Sequence, residues 1–288
     1  MKKRIIAAAI AGVVALGLGA CSSTPDTAEE GSGFGNCEVT GEKGQYTLDV
    51  ITPGVLTTKA DVPSVGGWYN GDTIAETKDG ADYCLLANIA HRAGLESMSL
   101  DKITFAAIAA GRAGSYDMIA ENFTITPERA EVLDLSDPYY QSTIGVLVKQ
   151  GSDVTAENLV SKKIGVEQGT TYLDYANAWG VTQEVSVFPS LAALQSAVAS
   201  GTVDAALHDF AIAASAANAS NGQLEVVGQI LSDQEFGVVM PKGSKNVEVV
   251  NQILADLKAD GTLDALHQKY LTEALGLDPA SVALWDVR

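Results

Sequence analysis

Between residues 45 and 271, short strand-like runs alternate with helical runs, and that order restricts the chain to an α/β architecture. Residues 46–51 alternate apolar and polar, as a half-buried strand does. Residues 81–93 place Leu85, Leu86, Ile89 and Ala93 on one helical face, and Gly94 follows as a stop. A second helical pattern spans 103–110 and ends at Gly111, while 116–120, 143–149, 163–166, 203–207 and 236–240 read as strands. Thr155 opens a helix, Ser190 caps another that Gly201 closes, and two more are expected over 247–259 and 262–271. Strands separated by helices pair in parallel sheets covered on both faces, and ligands then lie beyond the strands' carboxyl ends.

The start of the chain argues for export. Lys2, Lys3 and Arg4 precede a run of small apolar residues from 5 to 20, too short for a comfortable membrane span and suited to a signal peptide. The run ends Leu18-Gly19-Ala20-Cys21, which looks like a bacterial lipobox, so residues 1–20 are expected as signal peptide and Cys21 as the lipid carrier. Residues 21–44 read as a flexible tether, because Ser, Thr, Pro, Asp, Glu and Gly bury little apolar area. With Cys21 lipidated, Cys37 and Cys84 remain as a pair in an oxidising compartment. They are expected as a disulfide, the alternative being two free thiols.

Charge excludes one class of partner. The chain carries 18 basic and 36 acidic residues, a net charge of −18, and nucleic acid binding needs a basic face. No metal site is expected, since the cysteines lack ligand spacing and His91, His208 and His267 are scattered. No cofactor motif stands out.

Three strand ends carry the chemistry. In Asn122-Phe123-Thr124-Ile125-Thr126-Pro127-Glu128-Arg129, Thr126 is an N-cap and Pro127 fits the first helical position. Arg129 then lies in the first turn, where its planar fork can grip a carboxylate beside the Thr124 hydroxyl. The same residues also fit a capped surface helix with Arg129 paired to Glu128 or Glu131. In Gly165-Val166-Glu167-Gln168-Gly169-Thr170-Thr171-Tyr172, a glycine turn opens a helix whose N–H groups favour an anion, or is a plain turn; it lacks the ending of a nucleotide phosphate loop. Asp209, after Leu207-His208, can take an ammonium group or simply cap the following helix. Together, one Arg with a Thr, one set of N–H groups and one Asp match the common part of an α-amino acid.

From about residue 45 to 271 the chain resembles the family 3 extracellular solute-binding proteins, the polar amino acid receptors of ABC importers. The motifs are Phe123 to Arg129 as above, Asp134-Leu135-Ser136-Asp137-Pro138-Tyr139-Tyr140, Gly169-Thr170-Thr171, Val203-Asp204-Ala205 and Leu257-Lys258-Ala259-Asp260-Gly261-Thr262, in that order. The resemblance implies a two-lobed periplasmic-binding-protein fold of the class II type. Its two hinge strands would lie near 145–149 and 236–240. Lobe 1 would hold 45–145 plus 240–288, and lobe 2 would hold 146–239. It also implies that Arg129 and Thr124 bind the α-carboxylate with the Thr171 backbone, that Asp209 binds the α-ammonium, and that Asn122 stands where the family offers Ser or Gly. Such a protein is no enzyme. It works as a monomer and hands a free amino acid to a membrane permease, here from a lipid anchor at the outer face of the cytoplasmic membrane or in the periplasm.

The first loop departs from the family. It reads Lys59-Ala60-Asp61-Val62-Pro63-Ser64-Val65-Gly66-Gly67-Trp68-Tyr69, and Lys59-x-Asp-x-Pro is closer to glutamate-binding members, whereas Leu207-His208-Asp209 is closer to glutamine-binding ones. Phe105 and Trp68 are candidate apolar walls, each also suited to the core. Lys59, just past the first expected strand, and His208 are candidates to face a terminal carboxylate or amide. The favoured ligands are therefore glutamate, aspartate, glutamine and asparagine. Asp61 and Trp68 keep a basic ligand open. So does the fold a dehydratase of prephenate-like acids, for which Glu121 and Glu167 are the candidate acids.

Overall fold

The structure, a computed structural model, describes residues 33–273 and 275–287. The expected signal peptide, Cys21 and the first part of the tether lie outside the described residues. In chain order the elements are β1 (Val55–Ala60), α1 (Ala81–Arg92), β2 (Ser97–Lys102), α2 (Phe105–Ala109), α3 (Pro127–Val132), β3 (Leu133–Leu135), β4 (Tyr140–Gln141), β5 (Ile144–Lys149), β6 (Ile164–Glu167), α4 (Tyr172–Ala178), β7 (Ser186–Phe188), α5 (Leu191–Ser200), β8 (Ala205–Asp209), α6 (Phe210–Ala219), β9 (Leu224–Ile230), β10 (Glu235–Phe236), β11 (Val239–Pro241), α7 (Val247–Ala259), α8 (Thr262–His267) and β12 (Leu284–Trp285).

Two bodies result. In the first, β1 and β2 pair in parallel and β3 pairs antiparallel with β11. Their core joins Leu56, Trp68, Leu86, Met118 and Leu254 with residues of α1, α7 and α8. The second body is a six-stranded sheet in the order β12-β9-β5-β8-β6-β7. Alternation along it decides the packing: Ile144, Val146, Val148, Ala205 and Leu207 face one core, while Leu147 and Ala206 face the other with α5 and α6. The sheet is mixed rather than all parallel, because β5 runs antiparallel to both β8 and β9.

The chain crosses between the bodies in β4 and returns in β10, and these two segments pair antiparallel. The crossing therefore falls just before the first segment expected as a hinge. Residues 145–149 instead occupy the middle of the six-stranded sheet; of the second expected hinge, 236–240, Phe236 lies in the return crossing and Val239 and Met240 pair with β3. A third connection was not anticipated. Leu275 is buried in the first core, yet β12 pairs with β9, and the Gln229 amide donates to the carbonyls of Pro279 at 2.7 Å and Val282 at 3.0 Å. The last residues thus belong to the second sheet, not to the first lobe.

Local chemistry explains which expected elements form. Thr126 accepts the Arg129 N–H at 3.2 Å with Pro127 behind it, and Ser190 accepts the Ala193 N–H at 3.3 Å. Gly201 ends α5 at φ 76°, the left-handed stop that glycine supplies without strain. The strand expected at 46–51 is absent because side chains take its N–H groups: Asn246 from Asp49 at 2.9 Å and Asp117 from Ile51 at 2.8 Å. Thr155 starts no α-helix; Asn158 accepts its N–H at 2.8 Å, and only a 3₁₀ turn follows at Leu159–Ser161. Of 116–120, Ile119 alone bridges, to Val239. The last helix passes into a π-helical turn over Gln268–Glu273.

The expected tether is also shorter. Phe34 is buried, Cys37 is bonded to Cys84 on α1, and the Thr40 N–H donates to Asn88 at 2.9 Å. From Gly33 onward the chain is part of the body, because one aromatic and one disulfide supply what the polar composition lacks. Among the described residues no helix is long and apolar enough to cross a membrane.

Candidate functional site

A cavity of about 250 Å³ lies between the bodies. It brings together Asn122, Thr124, Arg129, Asp61 and Phe105 from the first body with Thr171, His208 and Asp209 from the second. The capped first turn of α3 aims Arg129 inward. Its guanidinium donates to the Thr124 carbonyl at 2.6 Å and, across the cleft, to the Gly169 carbonyl at 2.9 Å. It lies 3.9 Å over the Phe123 ring and 5.6 Å from that of Phe105. Arg129 is buried, which pulls its pKa down to about 10, so it stays charged at neutral pH. Among the described residues it meets no carboxylate at ion-pair distance, so the surface pairing with Glu128 or Glu131 does not form. Gly169 sits at φ +87°, and a Cβ there would meet the Ala106 backbone at 3.1 Å, so its contribution is close backbone approach.

Asp209 occupies the N-cap position of α6 without capping it. Its carboxylate instead accepts from the Tyr172 hydroxyl at 2.7 Å and from the Asn122 amide at 2.6 Å. Burial pushes its pKa up to about 6, while those two donors hold it lower than burial alone would. Asn122 reaches across because its backbone is left-handed, φ 39°, a conformation Asn tolerates better than most residues. Its own N–H donates to Asp82 at 2.7 Å.

Three expected site residues are placed elsewhere or changed in role. Lys59 is not in a loop. Strand β1 runs to Ala60 with Leu56, Thr58 and Ala60 on its buried face, so Lys59 projects the other way and donates to the Ala113 carbonyl at 2.7 Å. It does not line the cavity. Trp68 is fully buried, edge-on to Tyr140 at 5.3 Å and Phe236 at 5.7 Å, so it wedges the paired crossing rather than walling the ligand. His208 does line the cavity, but burial drops its pKa to about 4, so its imidazole is neutral at pH 7.

Residues without a sequence motif complete the site. Gln234, on the return crossing, accepts from Thr124 at 2.9 Å and Thr171 at 2.7 Å, joining the two bodies at one amide. No local pattern marks it, since its partners lie far off in sequence. Glu121 and Glu167 line the same cavity. Burial, then the charge of Asp82, raises Glu121; burial, then the charge of Asp61, raises Glu167 to about 7. Asp82, behind Asn122, rises to about 7 through burial although Tyr139 donates to it at 2.8 Å. Among the described residues no cluster of His, Cys, Asp and Glu could hold a metal ion.

Two lobes, a paired double crossing and a cavity between them define a class of cleft-binding receptor. Residues 72–273 match the model of the bacterial extracellular solute-binding proteins, family 3, and the chain belongs to that family. It is 35% identical over 160 residues to the L-cystine-binding protein of Escherichia coli K12, a match that covers 54% of this chain and 59% of that protein. It therefore aligns with little more than half the length of that relative. Among solved structures it is similar to an ancestral arginine-binding protein bound to arginine, at 28% identity and a TM-score of 0.67 over 75% of this chain and 98% of the other. It is also similar to an ancestral amino acid-binding protein described as a precursor of cyclohexadienyl dehydratase, at 28% identity and a TM-score of 0.64 over 76% and 95%.

Proposed function

We infer that this chain is an extracytoplasmic, lipid-anchored receptor that captures a free α-amino acid and delivers it to an ABC permease. One observation carries the reading: a buried guanidinium and a buried carboxylate, Arg129 and Asp209, reach one cavity from two different lobes. An α-amino acid presents the complementary pair. Its carboxylate meets Arg129 and the Thr124 hydroxyl, which turns from the Gln234 amide oxygen that accepts it now, with Thr171 opposite. Its ammonium meets Asp209, displacing the Asn122 amide, which holds that carboxylate now. Bridging both lobes, the ligand favours the closed arrangement over any open one, and rotation about the paired β4 and β10 is the motion that changes access. The Cys37–Cys84 bond fits an exported protein. The cystine and arginine binding of the relatives fits the same clamp with different side-chain pockets.

The test is calorimetry with the common amino acids and cystine. At least one is expected to bind at micromolar affinity or better. Arg129→Ala and Asp209→Ala are each expected to weaken it by roughly 10²–10³-fold while melting cooperatively, since removing one partner of a buried charge pair costs about 3–5 kcal/mol. Unchanged affinity in either variant removes that residue from the clamp. Anchoring is tested apart from binding: Cys21→Ser is expected to move the protein from membranes to the soluble fraction, and a membrane-bound variant refutes the lipid anchor.

A second reading has one observation behind it. Glu121 and Glu167 are cavity carboxyl groups that burial pushes toward the protonated form, Glu167 to a pKa of about 7, as a dehydratase acid must be. Turnover of a prephenate-like acid is its test; a protein that binds amino acids and leaves that acid unchanged is a receptor only.

A further inference from the structure

The clamp accounts for the two ends of an amino acid backbone and leaves other ionisable groups of the same cavity unused. Asp61, Glu121 and Glu167 line it as well. Glu121 is 3% exposed, and its Oε2 has no hydrogen-bond partner among the described residues. A buried carboxylate oxygen left unpartnered is costly, and native folds seldom keep one without something to satisfy it. Asp82 and Asp209, by contrast, each accept from two donors: Tyr139 and the Asn122 N–H for the first, Tyr172 and the Asn122 amide for the second.

The surroundings offer Glu121 no internal cation. From the loop after β1 comes Asp61, whose carboxylate accepts the Phe105 N–H at 2.9 Å. From α1 comes Asp82, from the end of β6 Glu167, and from the end of β8 Asp209. The Tyr69 hydroxyl is spent on the Ala120 carbonyl at 2.6 Å. Arg129 makes no ion pair among the described residues, and the clamp reserves its remaining donors for the ligand's α-carboxylate. Lys102 lines the cavity but is itself exposed, at the rim. Lys59, the cation on which an acidic ligand depended, is outside. The acidic groups within the cavity thus outnumber the basic ones, beside an apolar side made by Phe105 and Ile212.

We propose that Glu121 and Glu167, with Asp61, form the side-chain subsite and select an α-amino acid whose side chain ends in a guanidinium or ammonium group. This rests on the amino acid reading above. The cation satisfies the unpartnered oxygen of Glu121 and neutralises like charges that otherwise repel, while its stem lies along Phe105. The groups' titration gives the proposal a sign. Glu167 stands near 7 and Glu121 is raised, both chiefly by burial and then by neighbouring carboxylates. A bound cation favours their ionised forms, so binding releases protons and tightens as pH rises from about 6 to 8. A ligand held by protonated carboxyls, such as glutamate, shows the opposite slope.

The experiment is calorimetry of the purified protein with arginine, lysine, glutamine, glutamate and cystine at pH 6 and pH 8, in two buffers of different ionisation enthalpy. Arginine or lysine is expected to bind at least tenfold tighter than the other three, with proton release and higher affinity at pH 8. Glu121→Gln and Glu167→Gln are each expected to weaken that ligand by roughly 10²-fold. Preference for glutamate, glutamine or cystine overturns the proposal and leaves the clamp standing, and so do Gln variants that bind arginine or lysine as the native protein does. If none of the five binds, the proposal falls, while the amino acid reading falls only if the remaining common amino acids fail to bind as well.

Discussion

The two lobes hold one cavity with different materials. The first is organised around a large core in which Trp68, Tyr69, Tyr83, Tyr139 and Phe236 are buried, and it is fastened by the Cys37–Cys84 bond and by the buried Arg92 on Asp260. The second spreads thinner cores over both faces of a sheet, its helices α5 and α6 giving mostly alanine, valine and leucine, with no disulfide among the described residues. Aromatic side chains bury more apolar area each, at roughly 25 cal/mol per Å², than alanine does. The first lobe is therefore the firmer platform, and it carries the guanidinium whose geometry most needs to be fixed. The second carries Asp209 and Glu167, whose protonation depends on how tightly the cleft shuts around them.

The largest test of that contrast is the disulfide. It spans a separation of 47 residues, for which chain entropy predicts about 4 kcal/mol of stabilisation. Replacing both cysteines by alanine is expected to lower stability by about that amount in urea denaturation, and hydrogen exchange should quicken in α1 while β5 and β8 keep their protection. Equal loss in both lobes means that they unfold as one unit, and the division into lobes is then only geometric.

The corresponding test for the second lobe is Trp285. Its indole lies against Gly228, where a Cβ would come within 2.1 Å of the ring, and it packs on the core that includes Ile230. Half-buried on the edge strand, it is expected to contribute about 2 kcal/mol, less than a fully buried aromatic does. Trp285→Ala should free β12 from β9 and loosen the third connection between the lobes. If the variant melts like the native protein, the terminal strand does not fasten the second lobe.

Legibility in the sequence followed the range of the interactions. The cap at Thr126, the bounds of α5 and the whole of α7 depend on residues within a few positions, and local pattern found them. Local pattern marks Arg129 and Asp209 as candidates, because the first lies one turn past the Thr126 cap and the second ends β8 where α6 begins. The segment 46–51 has strand alternation, but Asn246 and Asp117, distant in sequence, claim its N–H groups, so no ladder forms. Gln234 was invisible for the same reason: its hydroxyl partners, Thr124 and Thr171, come from the two lobes and meet it only at the crossing. Trp68 was open between wall and core until the crossing strands were placed. Glu121 and Glu167 read as candidate acids in the sequence, but their shared cavity depends on how the two lobes face each other.

Lys59 gives the smallest expected effect and the sharpest contrast between reading the loop and reading the fold. Placed in a loop, it would meet the ligand's side chain, and removing its charge would weaken glutamate by a large factor and strengthen arginine. Placed in β1 it is a bystander to the cavity. Its partly exposed side chain gives one hydrogen bond to a backbone carbonyl, a contact that contributes about 0.5–1.5 kcal/mol to stability at most. Its charge also counts for little at a distance once salt screens it over about 8 Å. Lys59→Met keeps the stem packed on the strand while removing the charge. The expected result is a ligand affinity within about twofold of the native value at physiological salt, with the same order of preference among the amino acids. A tenfold change, in either direction, would put Lys59 back in the pocket and return the acidic ligands to contention.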